Sequence, residues 1–149
     1  MIWSVVLDLK QILRQGKGYA WPRPEVCPRC HHWKVWGHGY ALRYFDGFSA
    51  ALPMKCYRCP QCGCVMTARP ATYFSRIRSR IVFIVACLTQ RLEQGRWPAL
   101  ALPRSRLRHW LANLARRVRI HLTNTWTEGL LAGYEALLER GLIPVARVS

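Results

Sequence analysis

Six of the seven cysteines in this 149-residue chain crowd into two short stretches, "CPRCHH" from Cys27 and "CYRCPQCGC" from Cys56, and the seventh is Cys87. Two pairs repeat one pattern: Cys27-Pro28-Arg29-Cys30 and Cys59-Pro60-Gln61-Cys62-Gly63. A two-residue spacer lets both thiolates of a pair face one ion, and the proline and glycine shape a tight turn whose amides point at the sulfurs. Two such turns supply four thiolates, a closed tetrahedral shell suited to one structural zinc ion. A closed shell leaves no position for water, so the expected role is folding and not catalysis. Cys56 and Cys59 also form a C-x-x-C, but without the turn proline and glycine. Cys64 falls where the chain should leave the turn as a strand, and His31 stands where such a turn often has glycine. Cys56 and Cys64 are therefore expected as small strand residues, and His31 and His32 as surface groups beside the ligands. Cys87 should be core. An odd cysteine count argues against a disulfide framework.

The elements that must position these ligands can be read around them. The segments 34–37, 40–45, 54–58 and 65–68 are rich in β-branched and aromatic residues and punctuated by Gly37, Gly39, Gly47 and Pro53, so they predict hairpin strands. Metal turns joined by such strands make a zinc ribbon, too small to fold without its ion. Ahead of it, Ile2, Val5, Val6, Leu9, Ile12 and Leu13 recur at helical spacing up to Gly16, and 16–24 reads as a linker. After Pro70, Ile77 through Leu92 predict a largely buried helix ending at Gly95. Residues 96–102 could form a short helix opened at Pro98.

A longer helix follows Pro103, with Ser105 as a candidate cap. Leu107, Trp110, Leu111, Leu114 and Val118 fall on one stripe, and Arg106, His109, Asn113 and Arg116 fall opposite. Arg104, Arg108, Arg117 and Arg119 occupy the first turn and the flanks. Helix, short helix, turn and basic helix together have the order of a helix-turn-helix, and arginine and asparagine are the side chains that pair with base edges in the major groove. Arg106, His109 and Asn113 are expected to read bases and Arg117 and Arg119 to contact phosphate. A last amphipathic helix, with Trp126, Leu130, Leu131, Tyr134, Leu137 and Leu138, is expected to pack on the core or on a second copy.

The formal charge is +16, and arginine supplies 19 of the 23 basic residues. From Arg69 to His121 there are twelve arginines and one acid, Glu93. A merely solvated surface usually mixes signs, so this run points to a polyanion, nucleic acid before an anionic membrane surface. The apolar run 81–88 is too short to span a bilayer. The first fifteen residues lack a basic n-region and hold Asp8 within their apolar stretch, unlike a secretory signal. The expected location is a bacterial cytoplasm, with association to the nucleoid when bound.

The run "CPRCHHWKVWGHGYALRYF", then "YRCPQCGCVMTARP", then a helical segment ending "LRHWL" resembles the zinc-ribbon and helix-turn-helix region of insertion-sequence transposases, and small zinc-ribbon proteins related to them. The likeness covers about residues 25 to 112 and is carried by the Cys-Pro-x-Cys turns, His38-Gly39 with Arg43, and Arg69-Pro70. It implies binding to DNA, often an element's terminal repeats. It implies no catalysis here, because Asp8, Glu25, Asp46, Glu93, Glu128, Glu135 and Glu139 are scattered where a transposase needs convergent carboxylates.

The reading is thus an α+β protein: an N-terminal helix and linker (1–24), a zinc ribbon (25–70), a helix-turn-helix-like basic region (71–121) and a C-terminal helix and tail (122–149). It is expected to be a non-enzymatic, zinc-stabilised double-stranded DNA-binding protein of a mobile element. The alternatives are an RNA-binding zinc ribbon and a protein–protein assembly module.

Overall fold

The computed structural model describes residues 1–100 and 102–148. The chain divides into two compact units, Met1–Arg80 and Ile81–Ser149. The N-terminal segment and the cysteine region therefore share one unit, which also takes in residues 71–80, and the last two helices share the other.

The first unit contains β1 (Ile2–Val5), α1 (Leu9–Gln15), a 3-10 turn (Gly16–Gly18), β2 (Trp36–Arg43), β3 (Leu52–Arg58) and β4 (Val65–Pro70). The strands form one sheet in the order β1-β4-β3-β2. The β2–β3 and β3–β4 pairs are antiparallel, and β2 carries an irregularity between Gly37 and Tyr40. That irregularity joins two segments expected as separate strands into one.

Residues 2–5 depart from the helix expected there. They pair in parallel with β4, from Ile2 opposite Thr67 to Val5 opposite Pro70. β4 has an edge beyond β3 whose backbone groups need partners, and Ile2–Val5, with β-branched Ile2 and Val5 and aromatic Trp3, supplies them. The helix begins only after Asp8, whose carboxylate accepts from the Gln11 amide at 3.1 Å. Leu9 and Ile12 of α1 then bury against Phe45, Leu52, Met54 and Tyr73. The 16–24 stretch is tied down and is no free linker. Tyr57 donates its hydroxyl to the Pro22 carbonyl at 2.5 Å, and Arg23 donates to the Val35 carbonyl at 2.6 Å.

Helix α2 starts at Ile81, four residues later than Ile77. Arg76 has φ of 63°, which a right-handed helix cannot accommodate. Buried Arg69 also claims the backbone here, donating from Nε to the Phe74 carbonyl at 2.8 Å and from Nη2 to the Ile77 carbonyl at 2.6 Å. The Asp46 amide donates to Arg78, and the Ser79 hydroxyl donates to the Asp46 carboxylate, closing the segment onto the sheet unit.

The second unit holds α2 (Ile81–Gln94), α3 (Arg104–His121) and α4 (Leu130–Glu139). Their inward residues follow the helical period: Ile84, Cys87 and Leu88; Leu107, Trp110, Leu114 and Val118; Gly133, Tyr134 and Leu137. Phe83 meets Trp110 edge-on, with centroids 6.5 Å apart. Gly133 lets α4 pack against Val118 of α3, where an added Cβ would lie 2.6 Å from Val118 Cγ2. The short helix expected over 96–102 is not formed at 96–100 or 102, and Ala101 lies outside the described residues. Pro98 and Pro103 leave too few consecutive amides there to close helical turns.

Candidate metal centre and basic helix

Both cysteine pairs sit on turns of the same construction. In the first, the His31 amide donates to the Cys27 carbonyl at 2.8 Å, and the Cys27 amide donates to the His32 carbonyl at 2.9 Å. In the second, the Gly63 amide donates to the Cys59 carbonyl at 3.0 Å, and the Cys59 amide to the Cys64 carbonyl at 2.9 Å. The residue after each second cysteine is left-handed: His31 at φ 60° and Gly63 at φ 71°. His31 therefore takes the backbone role of the expected glycine, and its place in the turn is conformational.

The two turns converge. Cys27 Sγ lies 3.7 Å from Cys62 Sγ, and Cys30 Sγ lies 3.5 Å from Cys59 Sγ. All four sulfurs fall within 4.8 Å of one another. A tetrahedral shell with metal–sulfur bonds of about 2.3 Å has edges of about 3.8 Å, close to the Cys27–Cys62 and Cys30–Cys59 separations, so this set could hold one ion. Cys27 and Cys59 are buried, while Cys30 and Cys62 reach the surface. Backbone donation from the Cys30 amide, opposed by burial and aided by Arg29 and the neighbouring thiols, holds Cys27 down at about 6. Cys30 is raised to about 12: the His32 amide lowers it, but burial and the three other thiols outweigh that donor. The Cys27 thiolate thus forms readily, whereas a cation is needed to draw the proton from Cys30.

The remaining cysteines stand apart from the four. Cys56, buried on β3, faces Thr67 Oγ1 at 3.5 Å. Cys64 packs with Val35, Tyr57 and Met66, and Cys87 is buried in α2. Neither His31 nor His32 belongs to the sulfur group.

Helix α3 carries six arginines, two histidines and no acid. Arg104, Arg108, His109, Arg116 and Arg119 are exposed, and Arg106 is half-buried. Asn113 and Arg117 are placed differently from expectation. Asn113 Nδ2 donates to the Val145 carbonyl at 3.2 Å, and Arg117 donates to the carbonyls of Ala146 at 2.8 Å and Arg147 at 3.3 Å. Being four residues apart, they share one edge of the helix, where the returning tail needs donors once Val145 is buried. Sequence reasoning treated that edge as solvent because nothing local signals the return of a segment some thirty residues away.

It also missed the neighbours of Arg104 and Arg108. An open cleft of about 540 Å³ brings these two together with Arg91, Arg96 and Trp97. Their shared charge was visible as part of the arginine run, but the apposition needed the fold. No helix among the described residues is long and apolar enough to cross a membrane. Compared with protein-family models, curated proteins and solved structures, the chain matches none, so its chemistry must be read from its own residues.

Proposed function

We propose that the chain is a non-catalytic double-stranded DNA-binding protein whose sheet unit is held by one structural zinc ion and whose α3 meets the DNA, a component of a mobile element as the resemblance to transposase ribbons implies. The observation that carries this reading is the acid-free face of α3 bearing Arg104, Arg108, Arg116 and Arg119. Guanidinia set along one helix match the regular phosphates of a duplex and gain by releasing its counterions. Zinc is favoured by four thiolates in a tetrahedral array, a set that iron also accepts, and elemental analysis separates the two. Two carboxylates serve the fold, Asp8 as a helix cap and Asp46 as the acceptor for Ser79, which favours a binding role over a catalytic one. The helix-turn-helix reading now rests on α2 and α3 with a non-helical connection. The groove-facing set is Arg104, Arg106, Arg108, His109, Arg116 and Arg119, without the tail-bound Asn113 and Arg117.

Titrating labelled duplex over a range of salt tests the proposal. If the five arginines of this set neutralise phosphates, log affinity should fall against log salt with a slope of about −4.5, and Arg116→Ala should make it shallower by about one. A slope near zero would overturn the proposal. Asn113→Ala should leave base preference unchanged and lower the melting temperature, since it removes a tail anchor.

A second reading, binding to single-stranded nucleic acid such as RNA, is favoured by one feature of the ribbon. Trp33 and Trp36 are 72% and 52% exposed, and Lys34 Nζ lies 5.7 Å from the Trp33 ring centre. Exposed aromatics beside cations are platforms on which unpaired bases stack. Competition between duplex and RNA hairpin for the same protein ranks the two readings.

A further inference from the structure

The cleft between the end of α2 and the first half of α3 has a composition that phosphate contact alone does not require. Arg91, Arg96, Arg104 and Arg108 line it with Trp97, and no acid is among its lining residues. Arg104 and Arg108, four apart on one helix, are like-charged neighbours that repel each other. Such a cluster is stable only beside an anion or in water, and here the walls hold it in a concavity.

Trp97 is positioned within that concavity. Arg91 donates to the Gly95 carbonyl, and its guanidinium lies 5.6 Å from the Trp97 ring centre. The same arginine therefore fixes the turn that ends α2 and steadies the indole, which is half-buried while Arg96 beside it is exposed. Helix α3 also lines the cleft with Ala112 and Ala115, whose small side chains leave room within it. At about 540 Å³ the space lies within the range of small-ligand pockets and is far too narrow for a duplex. What fits is one flexible unit combining an aromatic plane with a phosphate.

We infer that this cleft takes an unpaired nucleotide of the bound nucleic acid, its base against Trp97 and its phosphate held by Arg96, Arg104 and Arg108. The inference rests on the DNA-binding reading and deepens it: the preferred substrate is a duplex with a single-stranded extension or a locally opened end. Arg91 is a positioning residue that acts through Trp97.

The test compares a blunt duplex of about 20 base pairs with the same duplex carrying a thymidine overhang, using the full chain with its metal bound. The overhang should tighten binding about tenfold, because stacking one base on an aromatic is worth that much. Trp97→Ala should erase the difference and leave blunt-duplex affinity within about twofold, whereas Trp97→Phe should keep most of it. Arg96→Ala, at an exposed position, should weaken overhang binding about fivefold with an unchanged melting curve, so the test does not depend on Trp97 variants folding. Thymidine 5′-monophosphate in excess should compete with the overhang duplex and not with the blunt one. Equal binding of both duplexes by the unaltered protein, or an overhang preference that survives Trp97→Ala and Arg96→Ala, would overturn the cleft assignment while leaving duplex binding intact. Failure to bind either duplex would overturn both readings.

Discussion

In the sheet unit, two fully buried thiols, Cys27 and Cys59, share a cluster with Val35, Tyr57 and Met66, whereas the helical unit closes on Ile84, Leu88, Leu107, Leu114 and Leu137. The first arrangement places candidate metal ligands inside the core itself. The second is apolar burial along three helices, stable by ordinary packing. Both units add side-chain-to-carbonyl ties: Asn113 and Arg117 hold the tail in the helical unit, and in the sheet unit Arg69 reaches two carbonyls, Tyr57 reaches Pro22 and Arg23 reaches Val35. Those of the sheet unit bind irregular stretches to the sheet where there is little periodic packing to do it. One unit should therefore depend on an ion and the other should not.

The largest effect that would test this contrast is loss of the metal. Cys59→Ser, or treatment with a strong chelator, should unfold the sheet unit, since apparent zinc-binding energies in small domains are about 10–16 kcal/mol. The helical unit should survive, seen as retained helical dichroism with lost protection from hydrogen exchange at β3 and β4. Cys56→Ser and Cys87→Ser should keep the metal. Acid should act like the chelator. Cys30, held at about 12 in the metal-free cluster, must give up its proton to bind, so affinity should fall as the pH falls. If both units melt together on chelation, the contrast is wrong.

A smaller effect belongs to the helical unit. Gly133→Ala places a methyl where Val118 Cγ2 already lies, at 2.6 Å, and should destabilise that unit by about 1–3 kcal/mol through overpacking. Metal content should not change. Replacing Val118 with alanine in the same chain should recover part of the loss, which a simple propensity effect would not allow.

The smallest effect separates the two metal turns from each other. His31 pays for a left-handed backbone that Gly63 adopts freely. His31→Gly should be neutral or stabilising by up to about 1 kcal/mol, because relieved strain is partly offset by a more flexible unfolded chain. Gly63→His should be destabilising by a similar amount. Zinc affinity measured by competition for both variants would expose any direct part for the imidazole, seen as a drop in affinity for His31→Gly.

The amino-acid sequence by itself determined what depends on neighbours a few residues apart. The Cys-Pro-x-Cys turns follow from local backbone geometry. The buried stripes of α2, α3 and α4 follow from a 3.6-residue period, and the positive charge of α3 is a matter of composition. Tertiary structure decided what depends on distant partners. Residues 2–5 became a strand because β4 had an unpaired edge, which no periodicity in their own stretch could announce. Residues 96–100 lost their expected helix to paired prolines, while Arg69 and Arg76 delayed the start of α2. Asn113 and Arg117 turned from solvent to the tail because burial of Val145 brought carbonyls needing donors to that edge. The choice of Cys27, Cys30, Cys59 and Cys62 over Cys56 and Cys64 drew on both: spacing nominated the turns, and the strands brought only those four sulfurs together. Short-range geometry can be read along a chain, whereas a partner some thirty residues away is set by which surfaces remain to be buried once the local elements have formed.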